Sequence, residues 1–300
     1  MKNNKKYLLL VVMVLGLLFL SGCSKNDTTQ ALGVGGFKFD DIFVYPMAGL
    51  MWAVSKTIGF ANYGIVIILT TIVVRTLAWP IYAKTNDMSL KMSLVGPEAE
   101  KIKQKYAGKD DQQSQQRMQM ETMQLYKKYG IGLGGCLMPL IQMPIFIGFF
   151  RTISRMPANA AVEGHWLNIF NTTEFFGINL LVGQEGSTWQ KAGVITLAIL
   201  VGLTQIFSLW ISQRRQKKMK DETTSTVPDY RKPNFDQQKQ TQKTMNIVMY
   251  SMTIMMVVFV LQSPAGLGLY WLVGNIYSTL QSYIGHKNSA KRLEVLKGKH

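Results

Sequence analysis

Long uncharged blocks alternate along the chain with polar, basic stretches. Residues 62–82, 132–150 and 192–212 are three such blocks, and Arg75 is the one charge they contain. A fourth block, 244–286, carries no formal charge over 43 residues, about twice the ~20 residues that one crossing of a bilayer needs. Ser263-Pro264-Ala265-Gly266 lies near its middle and supplies a turn, which divides it into 244–262 and 265–285. The pattern predicts an all-α polytopic membrane protein with five transmembrane helices. Residues 40–60 are also apolar and aromatic, but acidic residues open the stretch and Pro46 interrupts it. It reads as an external helix lying in the membrane interface. The segment 84–130 is rich in Lys, Glu, Gln and Met, with Met92, Val95, Ala99, Ile102 and Tyr106 at helical spacing before Gly108-Lys109-Asp110-Asp111, and Met118, Met123, Leu125 and Tyr126 after it. That pattern predicts a cytoplasmic helical hairpin.

The N-terminus reads as a targeting segment. Lys2, Lys5 and Lys6 precede an apolar run of 14 residues, too short to span comfortably, which ends in Leu20-Ser21-Gly22-Cys23. This resembles the bacterial lipoprotein signal, in which the cysteine receives a diacylglycerol and the chain is cut before it. On that reading 1–22 is the signal peptide, Cys23 is lipidated, 23–39 is an external tether, and Cys136 has no disulfide partner.

Charge then fixes an orientation. Lys and Arg number 33 against 17 acidic residues, for a net charge of +16, yet only 17% of residues are charged. A nucleic-acid-binding domain would spread such charge among polar residues, so no DNA partner is expected. With the lipidated end outside, five crossings place 23 of the basic residues in cytoplasmic segments and six in external ones, as the positive-inside rule requires. The tail 286–300 carries Lys287, Lys291, Arg292, Lys297 and Lys299. Ribosomal RNA and anionic lipid are both candidate partners for it.

Within the blocks, Arg75 costs at least ~2.5–3.5 kcal/mol to place at membrane depth. No Asp or Glu occurs in any predicted span to pair with it. Snorkelling to the headgroups is one solution; a water-filled cavity open to the cytoplasm is the reading favoured here. Thr71 lies one turn away on the same face. Gln142 sits between Pro139 and Pro144, Gln205 lies toward the inner end of the third span with Thr204, Ser208 and Ser212, and Trp271, Asn275, Ser278 and Ser282 share a face of the fifth. These define a candidate groove of Arg75, Thr71, Gln142, Gln205, Trp271 and Asn275. Serine and threonine in such places also serve helix packing. The 18 methionines suit gap-filling in the fourth span; in the hairpin they leave open a role in binding apolar partners. No nucleophile–base set, paired membrane carboxylates or phosphate-cradling loop occurs, so neither enzymatic activity nor a cofactor or metal is expected. A solute transporter is the alternative class, but it would show a coupling carboxylate or repeated halves.

Leu133-Gly134-Gly135-Cys136 followed by Ile141-Gln142-Met143-Pro144-Ile145-Phe146 resembles the second-span signature of the YidC/Oxa/Alb membrane protein insertases. Ser263-Pro264-Ala265-Gly266-Leu267-Gly268-Leu269-Tyr270-Trp271 with Asn275 is similar to their last span. Thr70-Thr71-Ile72-Val73-Val74-Arg75 resembles the segment carrying the family's groove arginine, and Thr204-Gln205 a third-span polar site. Order and spacing hold from about Phe43 to Gly285, and the lipoprotein start with five spans resembles the Gram-positive form. Gly132 departs from the proline common before the Leu-Gly-Gly-Cys run. The resemblance implies a core over 61–285 with a hydrophilic groove open to cytoplasm and lipid and closed outside. Nascent membrane proteins would be the substrates, possible partners being the ribosome, the Sec translocon and membrane lipids.

Overall fold

The structure, a computed structural model, describes residues 31–33, 41–59, 62–106, 108–109, 111–131, 134–168, 170, 172–224 and 235–297. The expected signal peptide, Cys23, most of the tether, and the side chains of Cys136 and of the basic tail lie outside the described residues.

Helix α1 (Asp41–Ile58) buries a stripe of Val44, Met47, Ala48, Met51, Val54 and Ser55, the three-and-four spacing of a helix with one apolar face. The stripe packs on α5 (Gly134–Ala161). Gly148 makes the approach possible, because a Cβ there would lie 2.8 Å from the Phe43 carbonyl oxygen. At the end of this contact Arg155 Nη1 meets Asp41 Oδ1 at 2.7 Å, with the two side chains 4% and 3% exposed. Asp41 also sits in the first turn of α1, where a negative charge complements the helix dipole.

Helix α2 (Tyr63–Leu77) is capped by Asn62, whose side-chain oxygen accepts from the Ile65 N–H at 3.2 Å. The sequence pattern predicted one helix over 62–82; the structure has two. Pro80 has no N–H to donate to the Thr76 carbonyl, and its ring crowds that position. The chain therefore breaks at Ala78 and restarts as α3 (Trp79–Lys105), with the Ile81 N–H reaching back to the Ala78 carbonyl at 3.1 Å. A second helix, α4 (Gln112–Lys128), packs along α3. Their turn uses Gly108 at φ +83° and an Asp111 cap on the Ser114 N–H at 2.8 Å. Polar contacts join the pair: Lys105 Nζ and the Tyr106 hydroxyl donate to Glu121 at 2.7 and 2.8 Å, and the Tyr129 hydroxyl donates to Glu98 at 2.7 Å.

Helices α6 (Thr188–Thr224), α7 (Phe235–Gln262) and α8 (Ala265–Lys297), like α5, run beyond the apolar blocks that announced them. Hydropathy marks where side chains turn polar. The flanking Gln, Arg, Lys and Met residues are good helix formers and carry the backbone ladder onward. Ser263 and Pro264 make the turn between α7 and α8, and the first amides of α8 are satisfied by the loop before α6: Ala265 N–H by the Val182 carbonyl at 2.9 Å and Gly266 N–H by that of Leu180 at 2.9 Å. The fold is mostly helical, with one addition that the pattern did not predict. Strands β1 (Glu174–Phe175) and β2 (Ile178–Asn179) pair antiparallel as a two-residue hairpin. Among the described residues one stretch, Thr188–Arg215, is apolar over a membrane-crossing length; Tyr63–Leu77 and Asn246–Gln262 are apolar but shorter.

Helix α8 packs against α2, α3, α5, α6 and α7. Glycines permit this: at Gly268 a Cβ would come within 2.8 Å of Leu197 Cδ2 on α6. Phe149 and Tyr270 stack at a centroid distance of 4.2 Å in the core between α5 and α8.

Replacing one member of the Asp41–Arg155 pair leaves a buried charge behind. Asp41→Ala is expected to lower the unfolding free energy by about 3–5 kcal/mol, while Asp41→Leu with Arg155→Met restores most of it. Denaturation of the detergent-solubilised variants reads the difference, and equal losses in the single and double variants would contradict it.

The α3–α4 hairpin is expected to weaken at both ends of the pH range. The Lys105 hydrogen bond holds the Glu121 carboxyl below its ordinary range, and the Ser114 backbone N–H does the same for Asp111. Depressed carboxyls contribute stability above their unfolded pKa, and it is lost as pH falls through the folded one. Glu121 raises Lys105, and the hydrogen bond to Glu98 raises the Tyr129 phenol. Their contributions are complete below the unfolded values and are lost as pH rises through the raised ones. Amide-exchange protection in α4, compared at matched intrinsic exchange rates, should be greatest at neutral pH. A flat profile would exclude the linkage.

Candidate substrate groove

Arg75 stands in the last turn of α2 and is half-buried. Its Nη1 donates to the Tyr82 hydroxyl at 3.3 Å, and its guanidinium carbon lies 5.7 Å from the Tyr82 ring centroid. The Tyr82 hydroxyl in turn donates to Gln142 Oε1 on α5 at 2.6 Å. Tyr82 belongs to the first turn of α3, seven residues beyond Arg75. Gly274 of α8 closes the far side, where a Cβ would lie 3.0 Å from Arg75 Nη2. The hydroxyl of Tyr270, one turn before Gly274, faces Arg75, Tyr82 and Gln142. The cation is thus solvated by dipoles and a π face from three neighbouring helices, and no carboxylate pairs with it among the described residues.

The other predicted site residues divide. Thr71 is fully buried and donates to the Ile67 carbonyl of its own helix at 2.7 Å. Asn275 faces α6, where its Nδ2 donates to the Val201 carbonyl and to Thr204 Oγ1, each at 3.4 Å. It begins a polar seam along α6 and α8 that continues through Ser208 with Thr279 and ends where Arg215 Nη1 donates to Ser282 Oγ at 2.9 Å. Gln205 is half-buried beside this seam and makes no hydrogen bond among the described residues. Trp271 packs in an aromatic cluster: its ring stacks on Phe146 at 5.7 Å and meets Phe259 edge-on at 5.4 Å, with Phe150 adjoining. Phe146 lies one turn from Gln142 on α5, and Trp271 one turn from Gly274 and Asn275 on α8. The cluster therefore forms an apolar layer next to the polar one, on the side toward the 263–264 turn. The structure brings Arg75 and Gln142 together, sends Asn275 to the α6–α8 seam and roofs the polar layer with Trp271.

Tyr82 and Tyr270 were missed by sequence reasoning. Tyr82 had been read as the last residue of a continuous span, although its seven-residue offset from Arg75, two helical turns, already placed both on one face.

A mostly helical bundle, one helix of it apolar over a membrane-crossing length, with a polar interhelical site around a half-buried cation, fits the class of α-helical membrane proteins. A family model described as 60Kd inner membrane protein matches residues 53–292. The chain is 33% identical over 277 residues to the membrane protein insertase MisCA of Bacillus subtilis (strain 168), covering 92% of this chain and 89% of that one. It is 31% identical over 287 residues to the insertase YidC of Oceanobacillus iheyensis, covering 95% and 97%, and 30% identical over 302 residues to YidC 1 of Halalkalibacterium halodurans, covering 97% of each. The chain belongs to this family, that of the YidC-type membrane protein insertases whose motifs it carries.

If the Tyr82 hydroxyl couples Arg75 to Gln142, Tyr82→Phe and Gln142→Leu will be non-additive. A coupling of about 0.5–3 kcal/mol is expected in a double-mutant cycle on stability. Additive losses would show that the bridge carries no energy.

Proposed function

We propose that this chain is a membrane protein insertase that works through the polar layer around Arg75. The polar N-terminal or loop segment of a nascent membrane protein enters this hydrophilic groove from the cytoplasm, while its apolar helix slides into lipid beside it. Burying the translocating segment's backbone and charges in hydrocarbon would cost several kcal/mol for each unsatisfied group. The groove lowers that cost, and partitioning of the apolar helix supplies the driving force. The activity needs no bond-making chemistry.

The half-buried Arg75 carries the reading. Among the described residues its cost at membrane depth is offset by the Tyr82 hydroxyl and ring rather than by a carboxylate, and a fixed cation in low-dielectric surroundings attracts acidic segments more strongly than bulk water would allow. The aromatic layer of Phe146, Phe150, Phe259 and Trp271 supports closure on one side. In this reading the five apolar blocks each cross the bilayer, α1 lies on the external interface, the α3–α4 hairpin is cytoplasmic, and Cys23 carries the lipid. The insertase acts on nascent membrane proteins, with the basic tail meeting the ribosome or anionic headgroups, and with the Sec channel as a neighbour.

The test is insertion of a small single-span substrate into liposomes holding only the purified protein. Arg75→Ala should slow insertion of a substrate with an acidic external tail about tenfold, a change of about 1.4 kcal/mol. Arg75→Lys should keep much of the rate, since a charge remains. Wild-type rates for Arg75→Ala with acidic and neutral tails alike would defeat the reading.

A further inference from the structure

We propose that the β1–β2 hairpin is a rigid membrane-interface anchor, its Phe176 tip set into the phospholipid headgroup–acyl boundary beside Trp189. Phe176 and Gly177 form the two-residue turn, at φ +53° and +73°. A left-handed conformation is natural for glycine and strained for a bulky aromatic residue. Phe176 is nevertheless 83% exposed. Its ring touches Phe175 edge-on at 4.7 Å but is not packed into the core, so burial within this chain does not offset the strain. Trp189 beside it is 67% exposed, and a Cβ on Gly177 would lie 3.0 Å from its Nε1.

The tip is held in place. Phe175 packs on Gly64 at the start of α2, where a Cβ would come within 2.5 Å of its ring, and Ile178 packs as closely on Gly193 of α6. The Asn62 side chain donates to the Glu174 carbonyl at 3.2 Å. Gln190 clamps the other strand, accepting from the Asn179 N–H at 2.9 Å and donating to the Asn179 and Gly183 carbonyls at 3.0 and 3.1 Å. The hairpin is thereby fixed to the first turns of two apolar helices.

Arithmetic on α6 sets the level. Thr188–Arg215 spans 28 residues, ~42 Å at 1.5 Å per residue, against about 40–45 Å for a bilayer with its headgroups. Trp189 and Trp210 are 21 positions apart, or ~32 Å, close to the ~30 Å of the hydrocarbon core. The Arg214 guanidinium lies 4.9 Å from the Trp210 ring centroid and marks the opposite boundary. Tryptophans at both ends of such a helix occupy the two aromatic belts. Phe176, held beside Trp189, lies at the same depth. Lipid is therefore the partner, rather than a second protein.

Site-directed spin labels test this in the full chain with Cys136 replaced by serine, reconstituted in phosphatidylethanolamine–phosphatidylglycerol vesicles. A label at Phe176→Cys should favour oxygen over a water-soluble nickel complex, at a depth between labels at Ile195→Cys, in lipid, and Glu185→Cys, in water. Nickel access equal to that at Glu185 overturns the proposal. The Ile195 label then tells whether the placement of α6 in the bilayer has failed with it. A photoreactive benzoyl-phenylalanine at 176 retains the aromatic residue and guards against a distorted turn. It should cross-link phospholipid several-fold more than the same group at 185, and equal yields likewise overturn the proposal.

Discussion

A guanidinium inside an apolar bundle must be solvated, and much of the arrangement around α2 follows from that requirement. Arg75 is met by Tyr82, itself hydrogen-bonded to Gln142, by the face of the Tyr82 ring, and by the open space that Gly274 leaves on α8. Tyr82 belongs to α3, Gln142 to α5 and Gly274 to α8, so these three helices must converge on the last turn of α2. Their common packing partner is α8, whose glycines bring its backbone close to its neighbours. A larger side chain at 274 would displace the cation.

Two kinds of polar contact serve different purposes in this bundle. The Asp41–Arg155 pair is almost fully buried and joins α1 to α5 at one end. Its desolvation offsets much of its attraction, so it specifies position more than it adds stability. Arg75 is only half-buried by comparison, and among the described residues no carboxylate pairs with its charge. A cation fully paired within its own chain would have little attraction left for a passing segment. Next to it, the seam from Asn275 to Ser282 uses hydroxyl and amide groups to hold α6 against α8. That seam fixes helix contacts, and its one charge, Arg215, stands at the end away from Asn275.

The end of the bundle near the 263–264 turn is built differently. Phe146, Phe150, Phe259 and Trp271 fill the level above Arg75 with aromatic rings. Beyond them, loop carbonyls cap α8, and the hairpin locks onto α2 and α6. Residue 32 adds a further tie, its N–H donating to Asn159 Oδ1 at 2.7 Å and its carbonyl lying 2.9 Å from His165 Nε2. The polar layer around Arg75 is thus bounded on the side toward this turn by packed aromatic rings.

The sequence by itself determined the helical class, the family, the turn at Ser263-Pro264, the paired helices either side of Gly108, and Arg75 as the charge to explain. These are local matters: runs of apolar residues, turn chemistry and one ion in an uncharged block are each visible within a few residues. The break at Ala78 was locally encoded too, by Pro80, but it was hidden because hydropathy continues through it. Tertiary structure alone decided that Gln142 would join Tyr82 beside the cation and that Asn275 would face α6. It also decided that Trp271 would pack against Phe146, and that Asp41 would find Arg155 across 114 residues. A polar side chain on a helix has several faces to turn toward, and only the angles and spacing of the neighbouring helices select one. Small residues set those distances, and their effect is felt on a partner helix far away in sequence.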